Sequence, residues 1–193
     1  MNRAVFLDRD GVITQEPPHY AHKISQLALI NGAADGIRRL NENGYMVVVV
    51  SNQSGIGRGY YGVEAAERYN EALIQKLSEA GARLDAVYYC PHYPEATVEK
   101  YRVDCDCRKP KPGMLKTAEK ALELDLAQSY MVGDKSIDIE AGKRAGCRTI
   151  LVKTGYGSEE LKRNHVDCDY IAEDLDDAAR HITYRPDNKG EGE

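Results

Sequence analysis

The chain has 193 residues, of which 42% are apolar and 30% charged, a balance that excludes both intrinsic disorder and membrane insertion and suits one domain with a real core. Its net charge of −5 excludes nucleic-acid or anionic-membrane binding through a broad basic surface, so any important cations must act locally. Five cysteines are an odd number, and Cys105 and Cys107 are closely spaced, which points to metal ligation rather than a disulfide framework.

The first strand is predicted over residues 4–7, an apolar run that meets Asp8 and is too short for a signal-peptide core; the expected location is the cytoplasm. Asp8-Arg9-Asp10-Gly11 follows it, and then a stretch at residues 14–28 with no clear period. A helix is expected over 33–43, closed by Gly44, and a second strand over 45–50, the longest part of which is far too short to cross a bilayer. That strand runs into Ser51-Asn52-Gln53-Ser54-Gly55. A helix over 63–80 ending at Gly81 and a strand over 86–90 come next, and then a second irregular stretch, 93–112. Loops of this length in a compact domain usually have a task, so the two are candidates for a substrate lid and a binding insert.

Pro112 suits the first turn of a helix over 113–124, the strand at 130–132 leads into Gly133-Asp134-Lys135, and a helix over 137–145 ends at Gly146. Strands at 149–152 and, more weakly, 170–172 complete the series. Strands without alternation, separated by amphipathic helices, predict a doubly wound parallel sheet in a single domain of residues 1–182, with a frayed polar tail at 183–193.

Ligands of such sheets bind beyond the carboxyl ends of the strands, where this sequence places Asp8, Asp10, Asp134 and Ser51. Carboxylates gathered in one place repel one another unless a cation joins them, and oxygen donors favour Mg²⁺. A metal between Asp8 and Asp134 would neutralise a phosphate that Asp8 attacks in line, with Asp10 as acid and then base. Ser51, the backbone at Asn52, and Lys109 or Lys135 could surround the transferred group. Taken singly, these residues also fit a turn, a helix cap and a solvated lysine run; together and in order they point to catalysis.

Cys90 and His92, with Cys105 and Cys107, form two pairs whose members are two apart, so each pair can face one ion. Three thiolates and one imidazole make a closed tetrahedral Zn²⁺ site with no open position, hence a structural one, tying down a loop over about 90–107 just before Arg108 and Lys109. The plainer alternative is reduced cysteines packed as small apolar residues; Cys147 and Cys168 stand alone and are expected to be core or surface thiols with no assigned function.

The ordered set of DxD-glycine, Ser-Asn, Arg-Lys-Pro and Gly-Asp-Lys resembles the haloacid dehalogenase superfamily of aspartate-nucleophile phosphatases, over nearly the whole chain to about residue 152. The resemblance implies a Rossmann-like fold of that type without a large cap. It also implies that Asp8 is the nucleophile, Asp10 the acid/base and donor of a backbone carbonyl to Mg²⁺, and Asp134 the remaining metal ligand, with Ser51 and Lys109 on the phosphate. Tyr-Tyr-Cys-Pro-His, Cys-Asp-Cys-Arg-Lys-Pro and Pro-Gly-Met-Leu narrow it to the histidinol-phosphatase-like branch and, within that, to phosphatases that take the 7-phosphate from heptose 1,7-bisphosphate during nucleotide-activated heptose synthesis for lipopolysaccharide or surface glycans. Implied substrate contacts are then His19, Tyr20, Ser51, Asn52, Gln53, Ser54, Arg108, Lys109 and Lys135, with Arg108 reading the distal part. Glu16-Pro17-Pro18 departs from the family's usual glycine-bearing stretch. Histidinol-phosphatase shares most of these motifs, and a zinc-loop binding module on an inactive core is the alternative of another class. The expected partner is a small phosphorylated sugar, with no nucleic acid or membrane, and the expected state a monomer.

Overall fold

A computed structural model describes residues 1–17, 20–163 and 165–184. Six parallel strands, β1 (Ala4–Leu7), β2 (Met46–Asn52), β3 (Ala86–Cys90), β4 (Tyr130–Gly133), β5 (Arg148–Val152) and β6 (Tyr170–Ala172), form one sheet in the order β3-β2-β1-β4-β5-β6. Its helices are α1 (Ala33–Glu42), the single turn α2 (Ser54–Gly57), α3 (Val63–Glu79), α4 (Gly113–Leu122), α5 (Ser136–Ala145), α6 (Gly157–Arg163) and α7 (Leu175–Thr183).

Parallel strands need helices on both faces, and the alternation of side chains along each strand shows how the two layers are served. Val5, Leu7, Val47, Val49 and Val132 pack with Ile37 and Leu40 of α1, Leu73 and Leu77 of α3, and Leu175 and Ile182 of α7. Ala4, Phe6, Val48, Val50 and Met131 face the other way, onto Met114, Leu115 and Ala118 of α4 and Ala141 and Ala145 of α5. Each such large aliphatic side chain contributes about 1.5–3 kcal/mol by leaving water.

All six predicted strands and four long helices are present within a residue or two of their expected ends. Gly44, Gly81 and Gly146 close α1, α3 and α5 at φ +76°, +74° and +92°, the left-handed caps foreseen from their positions. Pro112 caps α4 rather than entering its first turn, and Thr183, assigned to the tail, is the last residue of α7; residues 185–193 lie outside those described. Helices α6 and α7 had no counterpart among the predicted elements.

The strand order reverses direction between β1 and β4, whose register runs from Val5 opposite Tyr130 to Leu7 opposite Val132. Their carboxyl ends therefore open a crevice at the topological switch point. Among the described residues, no large cap stands over it.

Candidate active site

Asp8 emerges where β1 ends; its backbone N–H still donates to the Val132 carbonyl (3.0 Å), so the side chain is aimed by the sheet itself. Lys109 reaches it from the 93–112 insert. With 2% of its surface exposed, Lys109 donates to Asp8 Oδ1 (2.8 Å) and the Val50 carbonyl (2.7 Å), and its Nζ forms an ion pair with Asp138 Oδ1 at 2.7 Å. Burial alone would depress this ammonium, but the Asp138 and Asp8 carboxylates override it and raise its pKa. Asn52 holds the same residue by its backbone, accepting from Lys109 N and donating to Lys109 O, both at 3.0 Å.

Asp134, at the end of β4, is fully buried. Its Oδ2 accepts from Tyr156 N (2.9 Å), whereas Oδ1 has no partner among the described residues. A Cβ on either Gly11 (φ +91°) or Gly155 (φ +57°) would lie 2.2 Å from Asp134 Oδ2, so both loops approach only because those residues are glycine. Oxygens of Asp8, Asp134 and Asp138 lie within 4.8 Å of one another. Burial first, and the Asp8 charge second, push Asp134 up to about 8. An orphaned buried oxygen among three converging carboxylates fits a hard divalent cation.

The Asp10 carboxylate stands apart from this cluster. Arg9 binds it through Nη2 (2.8 Å) and Nε (3.2 Å), Thr14 Oγ1 donates to Oδ1 (3.0 Å), and Gln53 Nε2 donates to Oδ2 (3.2 Å). Gln53 also donates to Ser51 Oγ (2.8 Å) and accepts from the Tyr61 hydroxyl (2.7 Å), so its amide is fully engaged by neighbours. Lys135 Nζ meets Glu16 Oε2 at 3.0 Å and Asp134 Oδ2 at 3.9 Å, and lies 4.6 Å from the Tyr156 ring centre. Its pKa is raised, because Asp134, Asp8 and Glu16 outweigh the burial that would lower it.

Asp8, Asp10, Ser51, Asn52, Gln53, Ser54, Arg108, Lys109, Lys135 and Tyr20 all line one cavity of about 220 Å³. Arg108 is fixed at its edge by a bond from Nη1 to the His92 carbonyl (3.0 Å) and by the Tyr93 ring 5.3 Å away. Next to it, Cys90, His92, Cys105 and Cys107 converge. The Cys107 sulfur lies 3.0 Å from that of Cys90, 3.3 Å from that of Cys105 and 3.4 Å from His92 Nδ1. Hydrogen bonding with Cys90 lowers Cys107 to about 5, favouring the thiolate a metal needs, while Cys90 is raised by the same bond and by burial. Cys147 packs in the core under α4, where burial pushes its thiol up to about 12, and Cys168 packs beside Ile139 and Leu151.

Thus the structure gathers the sequence-predicted residues into one site, with Asp134 beneath its floor and His19 outside the described residues. The Asp10 carboxylate lies outside the carboxylate cluster, held by Arg9 and Gln53, in keeping with an expected metal contact through its backbone carbonyl alone, and Asp138 is the third acid that joins Asp8 and Asp134. Asn52 and Gln53 border the cavity, but their side chains are occupied by Lys109 and by Ser51, Asp10 and Tyr61. Glu16 and Arg9 also escaped the sequence reading. Asp138 carried a signal: four residues after Asp134, it returns to the strand end after one helical turn.

A family profile described as HAD-hydrolase-like matches residues 106–178. The chain is 43% identical over 183 residues to the D-glycero-beta-D-manno-heptose-1,7-bisphosphate 7-phosphatase of Pasteurella multocida, covering 94% of this chain and 97% of that one. It is 46% identical over 153 residues to the protein of the same name from Escherichia coli K12, covering 79% and 80%. Among solved structures, the D,D-heptose 1,7-bisphosphate phosphatase of B. bronchiseptica, complexed with magnesium and phosphate, superposes with a TM-score of 0.84 at 31% identity, covering 93% of this chain and 97% of that one.

Proposed function

The chain belongs to the D-glycero-beta-D-manno-heptose-1,7-bisphosphate 7-phosphatase family of HAD-like hydrolases, and from that premise we propose that it hydrolyses the 7-phosphate of this heptose bisphosphate through an aspartyl-phosphate on Asp8. The observation that carries the reading is the convergence of Asp8, Asp134 and Asp138, with the buried Lys109 paired to Asp8 and Asp138, at the base of a cavity edged by Arg108 and Lys135. Lys109 occupies Asp8 Oδ1 and leaves Oδ2 without a hydrogen-bond partner among the described residues, free to attack phosphorus. Ser51 and Lys109 flank the transferred group, and Asp10 protonates the departing sugar oxygen and later takes a proton from water.

Asp8, Asp134 and the backbone carbonyl of Asp10 would hold Mg²⁺, whose charge offsets that of the phosphate. Zn²⁺ in the Cys90, His92, Cys105 and Cys107 site would fix the loop that presents Arg108 and Lys109. Arg108 and Lys135 suit the second phosphate of a bisphosphate, and Tyr20 borders the same cavity. In this reading the enzyme is a single-domain monomer of the cytoplasm, serving nucleotide-activated heptose synthesis and using neither nucleic acid nor membrane. In support, the net charge is −5 and, among the described residues, no helix is long and apolar enough to cross a membrane.

The test is phosphate release with Mg²⁺ from heptose 1,7-bisphosphate and from histidinol phosphate, with Asp8→Asn as blank. A second charge-assisted contact is worth about 1.5–3 kcal/mol, so kcat/KM should favour the bisphosphate by roughly 10- to 100-fold. Preference for histidinol phosphate would overturn the substrate and spare the nucleophile; turnover by Asp8→Asn would overturn the mechanism.

A further inference from the structure

Arg9 heads the largest fully buried side chains of the protein and is absent from the lining of the catalytic cavity. Its guanidinium is held from several sides. Nη1 donates to Asn70 Oδ1 of α3 at 2.9 Å, Nη2 donates to the Ala21 carbonyl at 3.1 Å, and its carbon lies 4.5 Å from the ring centre of Tyr69. Nε and the second Nη2 hydrogen go to the two oxygens of Asp10. A charge this deep is expensive to bury unless paired, and a planar fork anchored at Asn70, Tyr69 and Ala21 cannot follow a wandering carboxylate. Arg9 is therefore the fixed partner, and Asp10, on a loop, is the one oriented.

We propose that Arg9 is a positioning residue that sets the Asp10 carboxyl for proton transfer. The inference rests on the reading of Asp10 as the acid/base. In the first step an Asp8 oxygen forms a bond to phosphorus, the bond from phosphorus to the sugar oxygen breaks with its electron pair going to that oxygen, and the Asp10 proton joins it to give the alcohol. In the second, water forms the new bond to phosphorus while passing a proton to Asp10, and the bond from Asp8 breaks to release phosphate. Displacing a donor by about 1 Å can cost 100-fold, which is the scale expected on losing Arg9.

A donor matters most when the leaving oxygen is basic, and this separates positioning from mere support of the fold. The experiment measures kcat/KM, which covers steps through departure of the alcohol, for heptose 1,7-bisphosphate, phenyl phosphate and p-nitrophenyl phosphate with Mg²⁺. The variants are Asp10→Asn, Arg9→Met, Arg9→Lys and Asn70→Ala, the last of which loosens Arg9 on the side away from Asp10. Arg9→Met should lose roughly 100-fold on the bisphosphate and under about 10-fold on p-nitrophenyl phosphate, matching the steeper leaving-group dependence of Asp10→Asn. Arg9→Lys and Asn70→Ala should show smaller losses with the same trend.

Equal losses on all three substrates, in Arg9 variants with wild-type circular dichroism and a cooperative thermal transition, would overturn the proposal. Should those variants fail to fold, an even loss in Asn70→Ala overturns it instead. A wild-type leaving-group dependence in Asp10→Asn would remove the acid role of Asp10, and that of Arg9 with it.

Discussion

Gly155 and Gly146 both adopt positive φ, yet the surroundings of their Cα atoms predict opposite consequences. At Gly146 (φ +92°) a methyl group meets nothing within 4 Å, so Gly146→Ala should carry only left-handed strain, about 1–2 kcal/mol in a urea titration, with activity unchanged. At Gly155 the methyl would lie 2.2 Å from Asp134 Oδ2 and 2.6 Å from the Gly11 Cα. Gly155→Ala should therefore displace the carboxylate, weaken Mg²⁺ binding by at least about tenfold, and lower kcat more than stability accounts for. Equal activity in the two variants at matched folded fraction would refute the close approach. Such residues are hard to read from sequence. Asp8, Asp10 and Asp134 announce themselves as acids just beyond apolar strands, whereas Gly155 is one glycine in a loop, Arg9 fills the gap within DxD, and Asp138 resembles any acid in a first helical turn. Their roles depend on what lies across the sheet edge, and that is a product of topology rather than spacing.

At the scale of elements, the cavity is a junction between the ends of β1, β2 and β4 and the insert that follows β3. Asn52 at the last position of β2 clasps the backbone of Lys109 with two bonds, and the Cys-His cluster clasps the same insert from its other side. Removing Zn²⁺ should release one of these clasps. We expect metal analysis to find one Zn²⁺ per chain. Dialysis against a thiol-competent chelator should lower kcat/KM for the bisphosphate by about 10- to 100-fold, restored by Zn²⁺ but not by Mg²⁺. Full activity in zinc-free protein would show that Asn52 and the buried Lys109 hold the insert unaided. The strands and four long helices were legible because burial on both sheet faces leaves unbroken β-branched runs, with clear apolar spacing between them. Helix α7 was not. Its buried residues, Leu175, Ala178, Ala179 and Ile182, do recur at helical spacing, but two are alanines, too weakly apolar to mark a face until α1 packs against them.

For the whole molecule, the buried acids tie stability to pH and to the metal together. Asp134 rises from 3.8 to about 8 in the folded protein, and Asp138 is raised as well, chiefly by burial. Between pH 4 and 8 the folded state consequently binds more protons than the unfolded chain, so stability falls as pH climbs through that window. Raised lysines work in the opposite sense but later: Lys109 and Lys135 lend stability fully below 10.5, lost only above it, so they do not mask the decline. Mg²⁺ needs the deprotonated carboxylate and should displace the proton. Metal-free protein should thus show a higher Tm at pH 5.5 than at pH 8, and saturating Mg²⁺ should raise Tm more at pH 8 than at pH 6, with proton release on binding visible in calorimetry as a dependence on buffer ionisation heat. Asp134→Asn should flatten the pH slope and abolish the Mg²⁺ shift, since the amide neither titrates nor repels Asp8. An equal Mg²⁺ increment at both pH values would mean that Asp134 is already ionised in the folded protein, with Lys135, 3.9 Å away, supplying the compensating charge before any metal arrives.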